Sequence, residues 1–432
     1  MLFIQSIKKN PQSIVKNVVK VAFIGLGGRG LGLLRSCLLN MPEDVEVVAV
    51  CDTYEDRTEA GKKAVMKSKR GNTPVASTNY KDVIGLPEVD CVIIATAWED
   101  HIKIAIEAMR LGKITATEVG GAYNLQDCYD LVRTYEETGI NCMLLENCNY
   151  GEYELLVLNM VKQGLFGEVV YAEGAYAHDL RDEITGGDIG RGATEPKHRH
   201  YRLRNYRFRN CENYPTHEIG PIAKVLRINN GNRFTSLTSF GSKSVGLKDY
   251  IARKHPDNPE LLGLDFKQND IITTVLRCAN GETVTIFLDT TLPRIYSRRF
   301  TIRGTRGMYQ EDGNYIFLDN AHMSHSLRRL FNNADKFKGK YSHPLWSKKN
   351  KKYRKYGHGG MDWFVLRAFI ETVKHDAYPP IDVYDTATWM AITALSEISL
   401  QQNSTAVEFP DFTNGKWQNK DTSKILPEFL LD

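Results

Sequence analysis

A glycine-rich turn set between an apolar run and a helical pattern constrains this chain more than any other feature. Val21-Ala22-Phe23-Ile24 has the composition of a buried parallel strand, and Gly25-Leu26-Gly27-Gly28-Arg29-Gly30 follows it directly. Leu31, Leu34 and Leu38 then mark one face of a helix. Asp52 ends the next apolar run, 22 residues past Gly30. Strand, GxGxxG turn, helix, strand and terminal acid form the order that dinucleotide binding requires. Gly25 permits the tight turn, Gly27 lets backbone approach a pyrophosphate, and Gly30 lets helix pack on strand. The helix N-terminus then faces the phosphates. Asp52 would accept hydrogen bonds from a ribose and repel a 2′-phosphate, which favours NAD. Arg29 and Arg57 keep NADP open.

The alternation of strands and helices continues. Residues 91–95 read as a strand and 102–111 as a helix; 113–116 and 142–145 read as strands flanking a helix at 125–135. This pattern predicts a doubly wound parallel sheet, and a Rossmann domain over residues 1–145. Beyond it the texture changes. The runs at 169–172, 271–275 and 283–287 are rich in β-branched residues, and Asn280-Gly281 joins the last two as a hairpin. Helical patterns follow at 361–374 and 385–400. The expected fold class is therefore α/β, with a substrate-binding α+β domain over residues 146–432 built on a large, mostly antiparallel open sheet.

With 42% hydrophobic and 25% charged residues, the chain has an ordinary globular composition. Its formal net charge of +4 gives no general case for nucleic-acid or membrane binding. No apolar run approaches the roughly 20 residues of a membrane span. Met1-Leu2-Phe3-Ile4 is too short for a secretory core, so a cytoplasmic location is expected, or a periplasmic one if a leader is missing. The eight cysteines form no CxxC pair and several sit in strand-like runs, so reduced buried thiols are expected. His198 and His200 lack further ligands, and no metal site is expected. The basic stretch at 348–355 reads as a solvated loop, with a polyanion or glycan contact as the alternative. The arginine-rich run at 199–209 interleaves aromatics, as a sugar site or a surface hairpin would.

Ligands of an open α/β sheet sit beyond the carboxyl ends of its strands. Trp98 and His101 follow the strand at 91–95 and are placed to line the nicotinamide side, although a histidine at a helix start also serves as a cap. Glu118-Val119-Gly120 follows the next strand. Sugar dehydrogenases of the Gfo/Idh/MocA type usually carry Glu-Lys-Pro there, with the lysine assisting hydride transfer. Val119 in its place argues against routine alcohol oxidation with release of NADH.

Stretches along nearly the whole chain sharpen this likeness. They include Leu145-Glu146-Asn147, His178-Asp179-Leu180-Arg181, Tyr214-Pro215-Thr216-His217, Gly357-His358-Gly359-Gly360-Met361-Asp362 and Pro410-Asp411-Phe412-Thr413. Together they resemble glycoside hydrolase family 109, the NAD-dependent α-N-acetylgalactosaminidases of the Gfo/Idh/MocA fold. The resemblance implies cofactor contacts at Gly28, Arg29, Asp52, Trp98, His101, Glu118, Val119, Asn147 and Tyr214. It implies sugar contacts at Tyr176, Arg202, Tyr214, His217 and Tyr296. Three departures lie near the glycan: Glu218 stands where the family commonly has glycine, the segment at 148–152 lacks the usual arginine pair, and the loop at 182–197 is shorter. A homo-oligomer paired through the open face of the second sheet is expected by resemblance.

Most glycosidases flank the scissile bond with two carboxylates, but NAD-dependent families do not. In the implied cycle, oxidation at the sugar's C3 acidifies the C2 proton and the C1 substituent leaves by elimination. Water then adds at C1 and C3 is reduced again, so the cofactor is recycled. His217 is expected to act at C3 and Tyr176 at C2, with Tyr296 as the second choice there; a phenol would need its pKa lowered for that work, and Arg202 could lower it. The alternatives are an NAD(P)-dependent sugar or polyol dehydrogenase, or a silent NAD- or sugar-binding protein.

Overall fold

A computed structural model describes residues 15–186, 201–319 and 331–431. The first sheet contains β1 (Val19–Ile24), β2 (Val45–Cys51), β3 (Val75–Ser77), β4 (Cys91–Ile94), β5 (Ile114–Thr117) and β6 (Cys142–Leu144). All its pairs are parallel, in the order β3-β2-β1-β4-β5-β6. This is the doubly wound order, in which the chain reverses direction across the sheet between β1 and β4. β1 and β4 are buried over almost their whole length, covered by helices on both faces, which is why they read as continuous apolar runs.

The second sheet holds β7 (Val169–Ala177), β8 (Phe234–Gly241), β9 (Ile271–Cys278), β10 (Thr283–Asp289), β11 (Thr301–Gly304), β12 (Gly307–Gln310), β13 (Tyr315–Leu318) and β14 (Val407–Glu408). Its order is β13-β12-β11-β7-β10-β9-β8-β14. Every pair is antiparallel except β7 with β10, which run parallel with Tyr176 opposite Leu288. The Asn280-Gly281 hairpin forms as expected, with Gly281 at a φ of +104°. β3 and β11 to β13 span three or four residues each, too short for alternation to reveal them in sequence.

Helix Val383–Gln401 ties the two sheets together. It packs on helix Leu125–Thr138 and β6 on one side and on β8 and helix Pro215–Val225 on the other. Buried on every side, it carries Trp389, Met390, Ile392 and Leu395 at 0–1% exposure. Approach is close: a Cβ on Gly121 would lie 1.7 Å from Thr393 Oγ1. Asp382 caps the helix by accepting from the Tyr384 and Asp385 N–H groups.

Two expectations are refined here and a third, on the cysteines, holds. Lys348–Lys355 is not an open loop but a 3-10 helix, because Tyr353 and Tyr356 stack on Trp363 at 4.7 and 4.4 Å. Within the run at 199–209, Tyr201–Phe208 is an α-helix rather than a hairpin. All eight cysteines are buried free thiols. His198, His200, Met1 to Ile4 and residues 187–197 of the shortened loop lie outside the described residues. No helix among the described residues is long and apolar enough to cross a membrane.

Candidate active site

The glycine turn at the carboxyl end of β1 has the geometry that its spacing implies. Gly25 has a φ of +94°, and a Cβ there would lie 2.4 Å from the Ala95 carbonyl. A Cβ on Gly30 would meet the Gly25 oxygen at 1.9 Å. Gly27 is different: the nearest atom to its Cβ position is Arg57 Nη1, at 3.4 Å. Gly27 also caps helix Gly28–Ser36 without a side chain, so the first-turn N–H groups of Gly28 and its neighbours face an open cradle. Asp52 closes the cradle. Its Oδ2 accepts from Leu26 N–H at 2.7 Å and its Oδ1 from Tyr54 N–H at 3.0 Å. Arg57 Nη1 stands 4.0 Å from Asp52 Oδ2. An open backbone cradle, a helix N-terminus and a fixed carboxylate together suit an NAD pyrophosphate and ribose.

Arg29 does not reach toward that ribose. Its guanidinium is held by Glu118 Oε1 at 2.9 Å and by both Asp362 oxygens at 2.7 and 2.9 Å, so the NADP argument rests on Arg57. Asn147 donates to Asp362 Oδ1 at 2.6 Å. His101 donates from Nε2 to the Thr96 carbonyl at 3.0 Å. Its role is therefore not that of a cap, which would accept from backbone N–H groups. Burial pushes its imidazole down to about 4, so it is neutral. Val119 and Trp98 lie in one buried apolar cluster with Tyr176 and Tyr214.

The residues expected to meet sugar converge beside this cluster. Tyr176, at the end of β7, stacks on Tyr214 with ring centres 4.1 Å apart. His217 lies edge-on to both, at 5.6 and 5.0 Å. Arg202 enters from helix Tyr201–Phe208 with its guanidinium 4.9 Å from the Trp98 ring centre and 5.1 Å from that of Tyr214. Its Nε is 3.1 Å from Glu183 Oε1, and its buried Nη1 has no hydrogen-bond partner among the described residues. Tyr296 lies on an exposed loop, half-exposed as a residue, with its ring edge-on to His178 at 5.1 Å; burial pushes its phenol up, and Cys148, Arg298 and Tyr176 act on it electrostatically.

Several functional groups escaped sequence reasoning. Glu146, fully buried just beyond β6, accepts from His217 Nδ1 at 2.7 and 2.9 Å. Burial acts to raise its carboxyl, but the His217 charge and hydrogen bonds outweigh burial and hold it low. With Nδ1 occupied, His217 has only Nε2 for chemistry. His178 Nδ1 lies 3.1 Å from the Tyr176 hydroxyl. Burial pushes Tyr176 well up and His178 down; Arg202 draws Tyr176 the other way but does not prevail. Tyr176 is thus a neutral phenol, against the lowered value expected of it. Glu218 fills its unusual position by accepting from Phe287 N–H at 3.1 Å and by sharing a hydrogen bond with buried Glu212. Burial pushes both carboxyls up. Glu146, Cys148 and His217 also bring three ligand-type atoms within 4.8 Å, with the Arg298 cation beside the Cys148 thiol. The one available signal was position: Glu146 sits at a strand's carboxyl end, where such sheets place their ligands.

Two family models match this chain. A family model described as the oxidoreductase-family NAD-binding Rossmann fold matches residues 19–145. A second, described as the C-terminal domain of glycosyl hydrolase 109, matches residues 150–419. An alpha-N-acetylgalactosaminidase of Tannerella forsythia is 36% identical, over 97% of this chain and 91% of its own length. A glycosyl hydrolase family 109 protein of Shewanella baltica is 39% identical, over 93% and 86%. Among solved structures, levoglucosan dehydrogenase with NADH and levoglucosan superposes with a TM-score of 0.65 at 16% identity, covering 91% of this chain and all of that one. The WlbA dehydrogenase of Bordetella pertussis, with NADH and UDP-GlcNAcA, gives 0.63 at 15% identity, covering 92% and 99%. Those two likenesses establish the fold.

Proposed function

The chain belongs to glycosyl hydrolase family 109, with an NAD-binding Rossmann domain, and on that premise we propose that it hydrolyses terminal α-N-acetylgalactosaminides with an NAD recycled at each turnover. The observation that carries the proposal is the buried Glu146–His217 pair, set beside the Tyr176–Tyr214 stack in a site where Val119 replaces the dehydrogenase lysine. When bound, NAD supplies reversible hydride transfer at the sugar's C3.

The chain's own residues do the proton chemistry. His217 Nε2 takes the C3 hydroxyl proton, and ionised Glu146 stabilises the imidazolium and fixes its orientation. With C3 a ketone, the C2 proton is acidic. Tyr176 takes it as the phenol's own proton passes to His178 Nδ1. Burial disfavours a free phenolate, so Tyr176 and His178 act as a relay. The C1 substituent leaves and takes a proton from solvent, and water adds its oxygen at C1 and gives a proton back to solvent. The Tyr176–His178 relay returns the proton to C2, and His217 returns its proton to the C3 oxygen. Arg202, with a spare donor inside an aromatic cage, stabilises the enolate oxygen. Tyr296 contacts the sugar at the rim. Cofactor contacts are proposed at Gly25, Gly27, Gly28, Arg29, Gly30, Asp52, Trp98, His101, Glu118, Val119, Asn147 and Tyr214. Pairing of two copies through the second sheet is proposed from the family likeness, and sedimentation equilibrium tests it.

A panel of aryl glycosides (α and β, with and without N-acetyl), each also deuterated at C2, tests the reaction. The expected result is cleavage of the α-N-acetyl substrate with a primary isotope effect and no accumulation of NADH. Stoichiometric NADH release from a free sugar, without cleavage, would identify a dehydrogenase instead.

A further inference from the structure

The motif Gly357-His358-Gly359-Gly360-Met361-Asp362 takes no part in that chemistry, yet its shape is tightly specified. His358, Gly359 and Gly360 have φ angles of +49°, +64° and +105°, three left-handed residues in succession. His358 carries that conformation with a side chain, at a cost in strain. A Cβ on Gly357 would lie 2.2 Å from Asp362 Oδ2. The backbone is therefore curled around the Asp362 carboxylate at the start of helix Met361–His375.

That carboxylate gathers four donors. Arg29 gives Nη1 and Nη2 at 2.7 and 2.9 Å, Asn147 gives Nδ2 at 2.6 Å, and His358 Nδ1 lies at 2.9 Å. Arg29 also donates Nε and Nη2 to Glu118 Oε1, at 3.2 and 2.9 Å. Asp362 and Glu118 are 2% and 5% exposed. The placement matters as much as the contacts. Arg29 starts beside the glycine turn at the end of β1, and Glu118 lies at the end of β5, with β4 between. The guanidinium therefore crosses the carboxyl edge of the sheet at the point where strand order reverses, the crevice that takes a dinucleotide in this topology.

We propose that Arg29, Glu118 and Asp362 form a latch by which residues 357–362 close over the NAD crevice, and that opening this latch sets the rate of NAD exchange with solution. The proposal rests on the reading above for its use, since a recycled cofactor must outlast many turnovers. Opening separates a guanidinium from two buried carboxylates, which is unfavourable because each charge loses its partner before water can replace it. Asp362 is a positioning residue: it holds Asn147 directly and Glu118 through Arg29.

The test is exchange of the bound cofactor against excess isotopically labelled NAD+ in the full-length holoprotein without sugar, read by mass spectrometry of the retained nucleotide. Asp362→Asn and Arg29→Met are expected to exchange at least about tenfold faster than wild type, as the loss of one charge-assisted hydrogen bond implies. Arg29→Lys falls between, because an ammonium keeps the charge but cannot fork to both carboxylates. Variants that stay folded, shown by a cooperative melting transition well above the assay temperature, and that exchange at the wild-type rate would overturn the latch. If the variants do not fold, the wild-type protein decides. NAD must then leave no faster than the amides of residues 357–362 open in hydrogen exchange, and faster departure overturns the proposal. Absence of glycosidase activity would sink the proposed reaction and leave this exchange result standing.

Discussion

Replacing Glu146 by Gln removes one charge while keeping the hydrogen bonds that Oε1 accepts. The amide oxygen still accepts from Cys148 N–H, which Glu146 Oε1 holds at 2.9 Å, and from His217 Nδ1–H. What disappears is the attraction between the carboxylate and the imidazolium that forms when His217 takes the C3 proton. The Nδ1–Oε1 separation of 2.7 Å puts the two charge centres about 4 Å apart, which at an effective dielectric of about 20 is worth about 4 kcal/mol. That corresponds to roughly a thousandfold loss of kcat. The assay is aryl α-N-acetylgalactosaminide cleavage at saturation, with NAD content measured on the same sample and KM expected within about threefold of wild type. A folded, NAD-loaded variant whose kcat stays within about tenfold of wild type would show that His217 does not depend on this carboxylate. The pH dependence gives a second check. Glu146 is held below the ordinary glutamate value of about 4.3, so its stabilisation is present above that pH and lost as pH falls through the lowered value. The variant therefore loses less stability than wild type on acidification below about pH 4.

Gly25→Ala puts a Cβ 2.4 Å from the Ala95 carbonyl at a φ of +94°, and is expected to cost at least ~2 kcal/mol in thermal unfolding and to abolish NAD retention. Asp52→Ser removes the carboxylate facing a 2′-phosphate and leaves Arg57 nearby, so titration should show NADP binding improved at least about tenfold relative to NAD; no shift in preference would remove Asp52 from the ribose site. Gly121→Val drives side-chain atoms into Thr393 and should lower stability by about 1–3 kcal/mol, read as the denaturation midpoint. Glu212 and Glu218 hold protons in the folded state that they would release when unfolded, so wild-type stability should fall as pH rises above about 4.3 and on past neutrality. Glu218→Gln should flatten that fall, and an unchanged melting profile would refute the buried protonated pair.

The features legible in the sequence are those encoded by local spacing. The glycine turn, the β1 strand, the Asp52 position and the hairpin at Asn280-Gly281 all lie within a few residues of their determinants. Their pattern follows from local backbone sterics and spacing. The doubly wound order followed from regular alternation of strand and helix. The short strands β11 to β13 stayed hidden because four residues carry too little pattern.

The sequence by itself determined that a dinucleotide cradle exists at Gly25, Gly27 and Gly30, with Asp52 at its end. Tertiary structure alone decided what surrounds the cradle. Arg29 stands beside the glycines in sequence, but its guanidinium is held by Asp362, 333 residues away. His217 acquired its carboxylate from Glu146, 71 residues earlier, and the Tyr176 phenol met burial rather than the activation expected from Arg202. The physical reason is common to all three. A turn depends on its own φ and ψ angles, whereas the protonation and orientation of a buried side chain depend on which distant charges packing brings within about 4 Å of it.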